Sequence, residues 1–237
     1  MKKTLFAATL AAAVSGALAA DVTLYGVADV GLRYTNTKTD GVSTDKLEMM
    51  SGHNAGSRFG LKGSEDLGNG WKAGFLLEGQ YLVDTGALKN AKFFHRQATV
   101  SISGPLGTVY AGRMGTLSSA AGPADLIFAA GDAFDGGDNL IYALSVESRR
   151  DNTLLYVTPA AGGLQGYLQY SFQGSGQENV QSSLNERYMG AGLRWKAGAF
   201  ESALAVEHVR YAAAADVRDF RTMQLLDWFV KEQGEEE

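Results

Sequence analysis

Residues 22–34 read VTLYGVADVGLRY, and their polarity alternates with a period of two. The even positions carry Val, Leu, Gly, Ala, Val, Leu and Tyr, whereas the odd positions include Thr, Asp and Arg. Because a β-strand points successive side chains to opposite faces, this stretch has one apolar face and one mostly polar face. It is longer than the ~5–6 residues of a usual strand and long enough for a tilted membrane strand of ~9–11 residues.

The same alternation recurs along the chain, at residues 58–62, 71–81, 164–173 and 188–196. The polar faces carry Arg, Lys, Gln and Glu, which need water, while the apolar faces need lipid or a protein core. Large aromatic residues of the apolar faces, such as Trp71 and Trp195, lie near strand ends, as rings at a membrane interface do. A β-sandwich would concentrate them at mid-strand. The pattern therefore favours strands that cross a membrane.

The connections between the strands alternate between short and long. The short ones lie at 65–70, 103–107, 159–163 and 196–198, and the long ones at 36–55, 83–91, 114–146 and 174–186. Antiparallel strands place alternate connections at opposite ends of a sheet, so one end has tight turns and the other has loops. The sequence thus predicts an all-β fold, an antiparallel transmembrane β-barrel. About ten strands are expected, at 22–35, 56–65, 70–82, 93–103, 107–113, 148–158, 164–173, 187–196, 199–211 and 219–225.

The N-terminal residues predict export from the cytoplasm. Lys2 and Lys3 form a short basic region, residues 5–14 are an apolar run too short to span a bilayer, and Ala17 and Ala19 are small. This is the pattern of a secretory signal peptide. We expect a signal peptide at residues 1–19, cleaved after Ala19, and passage through the periplasm.

The composition excludes several kinds of site. The chain has no Cys, so it has neither a disulfide nor a thiolate metal site. Its 30 Gly among 237 residues are too many for a helical enzyme and too dispersed for a linker. A net charge of −5 argues against a nucleic-acid partner. We expect no catalytic residue, no metal and no cofactor.

A set of short motifs occurs in a fixed order. They are VTLYG at 22–26, SRFGLKGSEDLG at 57–68, KAGF at 72–75 followed by Leu77 and Glu78, RQA at 96–98, SG at 103–104 with GTV at 107–109, GR at 112–113, and DN at 151–152 followed by Tyr156 and Pro159. In this order the chain resembles the general porins of β-proteobacteria and Neisseria over residues 1–225.

The resemblance implies a location in the bacterial outer membrane, in contact with its lipid, as a homotrimer of about sixteen-stranded barrels. Each barrel would hold an aqueous channel for ions and small hydrophilic solutes. The third long loop, here 114–146, would fold into the lumen and narrow it. A connection of this length is uncommon in a compact domain unless it has a function.

Strand parity directs a set of basic side chains to the lumen, namely Arg58, Lys62, His95 and Arg149, which we call the basic wall. The resemblance implies that the wall faces acidic residues of the loop, here Asp125, Asp132, Asp135 and Asp138. Further lumen positions are expected at Tyr25, Asp29, Arg33, Glu78 and Gln80. By the same parity Arg96 and Arg113 fall with apolar neighbours, above the lipid band or at a trimer contact. Charges on opposing walls would create a transverse field that biases ion passage.

The resemblance ends near Met223. Residues 226–237 have no period of two and predict a short amphipathic helix that runs into an acidic tail. The family would continue with more strands, so the partial barrel of residues 20–225 holds about ten of an expected sixteen. One interpretation is a truncated or frameshifted porin gene product. The other is a narrower barrel of about ten strands.

Two functions of other classes compete with a channel. An outer-membrane barrel enzyme would need a nucleophile, a His and a carboxylate that converge. The chain has three His, at His53, His95 and His208, and none lies beside a recognisable nucleophile motif. A secreted, soluble β-sandwich that binds a ligand is the second alternative, and it would not need detergent after purification.

Overall fold

The computed structural model describes residues 21–119, 122–124, 126, 149–174, 185–211 and 220–225. The regular elements of these ranges are twelve β-strands, so the all-β prediction is confirmed. Across these same ranges, no helix has the length and apolar character needed to cross a bilayer. The strands are β1 Asp21–Val27, β2 Val30–Thr39, β3 Val42–Ser51, β4 Arg58–Gly68, β5 Trp71–Gln80, β6 Gln97–Gly104, β7 Gly107–Gly115, β8 Arg149–Val157, β9 Leu164–Ser171, β10 Arg187–Ala197, β11 Phe200–Arg210 and β12 Phe220–Leu225.

Ten of the strands form one antiparallel sheet. Its order is β1-β4-β5-β6-β7-β8-β9-β10-β11-β12, so that, after β1, each strand pairs with the next one along the chain. β2 and β3 form a separate two-stranded sheet. Within the described ranges β1 pairs only with β4, and β12 pairs only with β11. The predicted number of about ten strands in the main sheet is confirmed.

The two faces of the sheet differ as the alternation predicts. In β9, Tyr167 and Gln169 are buried, whereas Leu168 between them is 59% exposed. We call the face with the buried side chains the inner face. Met114 and Leu117 pack on it together with Leu155, Tyr167 and Ala205. The opposite, outer face presents large apolar side chains, among them Val109, Leu154, Leu168, Met189 and Val206.

The predicted strand at 22–35 is wrong in its length, because the chain leaves the main sheet after Val27. Ala28 and Asp29 lie outside any strand, and β2 then pairs with β3 rather than with β4. The Asp29 carboxylate accepts hydrogen bonds from the backbone N–H groups of His53, Asn54 and Ala55 at 2.8–3.1 Å. These bonds hold the two ends of the β2–β3 hairpin together.

The predicted long loop at 36–55 therefore contains β3, which is the second strand of a hairpin with β2. Its tip is the pair Asp40 and Gly41, both with positive φ, at 52° and 82°. A two-residue Asp-Gly connection of this kind matches the twist of an antiparallel pair. The hairpin is exposed, and Arg33 of β2 forms an ion pair with Glu48 of β3 on one of its faces.

Asp29 is expected to be the residue that closes this hairpin. The N–H group of Ala55, with those of Asn54 and His53, lowers the pKa of the Asp29 carboxyl from its ordinary value. The stabilisation is present above the unfolded pKa of ~4 and is lost as the pH falls through the lower, folded-state pKa. We expect Asp29→Asn to raise the rate of limited proteolysis within 36–55 severalfold at pH 7. Asp40→Asn is the matched control, because Asn also suits a turn with positive φ. Equal rates in both variants would contradict this role.

Candidate functional site

Glu78 is the centre of a polar cluster on the inner face of β1, β4 and β5. Its Oε2 accepts a hydrogen bond from the Tyr25 hydroxyl at 2.7 Å and lies 3.9 Å from Nε of Arg58. Its Oε1 accepts a hydrogen bond from Nε of Arg96 at 2.6 Å. The Tyr25 ring reaches Glu78 because Gly60 has no side chain, since a Cβ at Gly60 would lie 2.5 Å from the ring. The register of β1, β4 and β5 thus brings Arg58 and a phenol to the Glu78 carboxylate, and Arg96 reaches it from the turn before β6.

Arg113 and Asp151 form a second polar cluster beside the first. Nη1 of Arg113 lies 2.5 Å from Oδ1 of Asp151, and Nζ of Lys92 forms an ion pair with the other oxygen. Nε of Arg113 donates to the carbonyl of His95 at 2.7 Å. The side chain of Asp151 is only 11% exposed, so its carboxylate meets these two cations with little water around it.

Arg149 lies beside the Glu78 cluster, because its Nε donates to the backbone carbonyl of Arg96 at 2.9 Å. Four arginines therefore lie on neighbouring strands and turns between β4 and β8. We call them the arginine cluster, and they are Arg58, Arg96, Arg113 and Arg149.

Arg96 and Arg113 pair with the carboxylates of Glu78 and Asp151, and each contact has a local cause. The strand predicted at 93–103 begins only at Gln97, because residues 91–96 form a turn. That turn directs Arg96 to Glu78. Gly112 has φ of 132°, and the pairing of β7 with β8 shifts by one residue between Gly112 and Met114. The extra residue lies in β8, so Asp151 and Asn152 both lie opposite Arg113, and the Asp151 carboxylate meets its guanidinium.

The other predicted lumen residues fall into two groups. Nζ of Lys62 lies 5.5 Å from the centroid of the Tyr25 ring, and Oε1 of Gln80 accepts from Nη1 of Arg96 at 3.3 Å. These residues join the Glu78 cluster. Asp29 and Arg33 lie away from it, in the strand break and in the hairpin, because their predicted position depended on a single strand at 22–35. The loop residues Asp125, Asp132, Asp135 and Asp138 lie outside the described residues.

The described start of the loop predicted at 114–146 lies against the inner face. Met114 and Leu117 are fully buried and Leu126 is 2% exposed, in one cluster with side chains of β8, β9 and β11. The N–H group of Leu126 donates to the carbonyl of Leu117 at 3.3 Å, which folds the chain back on itself. We call residues 114–119 the loop start.

His95 is expected to make stability depend on pH. It is 7% exposed in the turn before β6, and burial, together with Arg149, Arg96 and Arg113, lowers the pKa of its imidazole. Below the ordinary pKa of ~6.5 the unfolded chain therefore binds a proton that the folded chain binds less readily. This component of stability is present above pH ~6.5 and is lost as the pH falls below that value.

The measurement is urea unfolding of the refolded chain in detergent micelles at pH 7.5 and pH 5. We expect His95→Gln to lose less stability on acidification than the parent chain. His53→Gln, at an exposed position, is the control and should behave as the parent chain does. A parent chain and a His95→Gln variant with the same pH dependence would refute the assignment.

Residues 7–226 match the family model described as Gram-negative porin. The chain is 32% identical to an outer membrane porin protein of Bordetella pertussis, with 88% of this chain and 60% of that protein covered. It is 32% identical to outer membrane porin protein 32 of Delftia acidovorans, covering 92% of this chain and 63% of that protein. It is 34% identical to the major outer membrane protein P.IB of Neisseria gonorrhoeae, with coverages of 90% and 62%. The chain thus spans about 60% of the length of these curated relatives.

Solved structures agree with the sequence relatives. An anion-selective porin from Comamonas acidovorans is 31% identical and superposes with a TM-score of 0.59, covering 83% of this chain and 59% of that one. A loop-deletion mutant of OmpT, an outer membrane protein of Vibrio cholerae, is 15% identical and shares the fold with a TM-score of 0.57. The strand alternation, the ten-stranded antiparallel sheet and the extent of the family match agree, and the chain belongs to the Gram-negative porin family of outer-membrane proteins.

Proposed function

We propose that this chain forms a passive diffusion channel for ions and small hydrophilic solutes across the outer membrane. The observation that carries the proposal is the position of the loop start. Met114 and Leu117 are buried on the inner face, so the loop at 114–146 leaves β7 toward the space that the sheet borders. A loop that enters a barrel narrows its lumen, and the width and charge of the narrow part then control passage.

We further propose that the channel prefers anions. The arginine cluster, with Lys62 and Lys92, meets two carboxylates within the described residues, those of Glu78 and Asp151. Cations thus outnumber acids on this part of the inner face. The loop residues Asp125, Asp132, Asp135 and Asp138 would then supply the opposite charge across the lumen. Similarity to a solved porin described as anion-selective supports the same preference.

The remaining parts of the proposal follow the family. We propose assembly as a homotrimer, contact of the outer face with membrane lipid, and the absence of enzymatic activity. The described residues contain no group of three or more His, Cys, Asp or Glu that could hold a metal ion. The soluble β-sandwich alternative is wrong, because the chain belongs to a family of outer-membrane porins.

Reversal potentials test the proposed function. The full chain, refolded in detergent, is inserted into a planar bilayer that separates two concentrations of KCl. We expect a conducting species whose reversal potential shows an anion preference. Arg58→Ala and Arg149→Ala should each shift this potential toward cation preference, because each removes a positive charge from the inner face.

The control is Lys38→Ala, which removes one positive charge from the exposed hairpin outside the ten-stranded sheet. It should leave the reversal potential unchanged. A chain that inserts but never conducts would refute the channel, and equal potentials in the parent, Arg58→Ala and Arg149→Ala would refute the role of the arginine cluster.

A further inference from the structure

Three hydrogen-bond donors converge on the carboxyl group of Glu207, an inner-face residue of β11. The backbone N–H of Ser118 donates to Oε1 at 3.0 Å, and the Ser118 hydroxyl donates to Oε2. The hydroxyl of Tyr188 donates to Oε1 at 2.6 Å. All three residues are at least 96% buried, with exposed fractions of 4% for Glu207, 1% for Ser118 and 0% for Tyr188. A buried carboxyl group thus has a hydrogen bond from the backbone of the loop start.

The neighbouring strands hold the loop start as well. Nε2 of Gln169 in β9 donates to the carbonyl of Gly115 at 2.7 Å. The N–H of Leu117 donates to the hydroxyl oxygen of Tyr188 in β10 at 3.3 Å. Strands β9, β10 and β11 therefore each supply one side chain to the backbone of residues 115–118. These contacts are directional, unlike the apolar packing of Met114 and Leu117, so they fix the orientation of the segment.

The sheet register explains how three strands reach one segment. Gly190 of β10 lies directly between Gln169 of β9 and Glu207 of β11. A Cβ at Gly190 would lie 2.6 Å from the Tyr188 hydroxyl and 3.0 Å from Cδ1 of Leu117. The missing side chain therefore leaves the space that the Tyr188 hydroxyl and the loop start occupy.

We propose that Glu207 is the positioning residue of the loop start: it holds residues 114–119 against β9–β11 and so keeps the channel at one width. This inference rests on the proposed channel function. It predicts that the chemistry of the carboxyl group matters, and not only its volume. A Gln side chain keeps the size but exchanges one acceptor oxygen for an NH2 donor, which would face the donors of Ser118 and Tyr188.

The first test uses the absence of Cys from the natural chain. Ser119→Cys introduces a single thiol at a position that is 1% exposed, beside the Glu207 contact. The rate at which a methanethiosulfonate reagent modifies this thiol in the refolded chain reports detachment of the loop start. We expect Glu207→Gln to raise the rate about tenfold, because in either orientation of the amide at least one buried donor loses its acceptor. Single-channel records should then show a spread of conductance levels where the parent has one.

Glu201→Gln is the matched control. Glu201 lies on the same strand and the same face as Glu207, but it forms ion pairs with Arg194 and Lys196 rather than with the loop start. Its thiol modification rate and conductance should equal those of the parent. Circular dichroism verifies that each variant keeps its β-structure. Where Glu207→Gln does not fold, Tyr188→Phe is measured in its place, because it removes a donor to the same carboxyl group.

The outcomes separate the two proposals. Slow thiol modification and a single conductance level in Glu207→Gln and in Tyr188→Phe would overturn the positioning role while leaving the channel intact. A parent chain that does not conduct would overturn the channel function. The thiol rates would still measure whether Glu207 holds the loop start.

Discussion

An Asp151→Ala variant is expected to unfold with a free energy about 3 kcal/mol below that of the parent chain. The carboxylate of Asp151 lies 2.5 Å from Nη1 of Arg113 and also forms an ion pair with Lys92. Removing it leaves the guanidinium of Arg113, which is 19% exposed, without its carboxylate, whereas Lys92 is 42% exposed and stays in contact with water. Breaking a buried ion pair from one side costs more than the pair itself contributes, because the remaining charges stay desolvated.

The backbone of β8 around Asp151 keeps its own hydrogen bonds in this variant. The backbone carbonyl of Asp151 accepts hydrogen bonds from the hydroxyls of Ser171 at 2.7 Å and Thr153 at 3.1 Å, and Asn152 has φ of 53°. These contacts keep the irregular start of β8 in place. These backbone bonds survive in either variant, so we expect Asp151→Asn, which keeps the shape but not the charge, to be destabilised through the lost ion pairs alone, and less than Asp151→Ala.

Urea unfolding in micelles measures the effect, with tryptophan fluorescence as the signal. Glu65→Ala is the control, because Glu65 is exposed on β4, and such substitutions usually change stability by less than ~0.5 kcal/mol. A loss below about 1 kcal/mol for Asp151→Ala would contradict the assignment of a buried ion pair. The reversal potential of the surviving channels is a second measurement, and it should move toward anion preference because Arg113 and Lys92 lose their counter-charge.

The faces of the regular strands could be predicted from the sequence, and the irregular positions could not. Gln169 and Tyr188 lie on the predicted side, since nothing interrupts β9 and β10. The partners of Arg96 and Arg113 could not be predicted, because a turn precedes β6 and a bulge in β8 places Asp151 opposite Arg113. A period of two carries information only while the pairing stays in register. One signal at the hairpin was nevertheless available, since the Asp40-Gly41 pair favours a two-residue turn.

The contact between Glu207 and the loop start could not be found by pattern at all. Its partners are a backbone N–H and the hydroxyls of Ser118 and Tyr188, which are separated from Glu207 by 89 and 19 positions along the chain. Any residue except Pro has a backbone N–H, so the sequence around Ser118 does not predict this hydrogen bond. The register that places Gly190 between Gln169 and Glu207 brings these side chains within reach of the loop start, and it becomes visible only in the folded sheet.

Gly112→Ala is the second variant from which a large effect is expected. The φ of Gly112 is 132°, and a Cβ at this position would lie 2.0 Å from the backbone carbonyl oxygen of Ala98 on β6. An L side chain is strained at this φ whatever the space around it, and the clash is with backbone, which cannot rotate away. We expect a loss of about 2 kcal/mol in the free energy of unfolding. Gly31→Ala is the control, because the nearest atom to a Cβ there is 3.8 Å away.

Gly112 also lies at the register shift that places Asp151 opposite Arg113, so its replacement should act on the same ion pair as Asp151→Ala. If the Gly112→Ala clash displaces β7 from its neighbours, the guanidinium moves away and the pair that Asp151→Ala removes is lost. The two losses should then overlap, and the double variant should lose less than the sum of the single variants, by ~0.5 kcal/mol or more. Strictly additive losses would mean that Gly112 matters only for its own backbone, and that the pair of Arg113 and Asp151 survives its replacement.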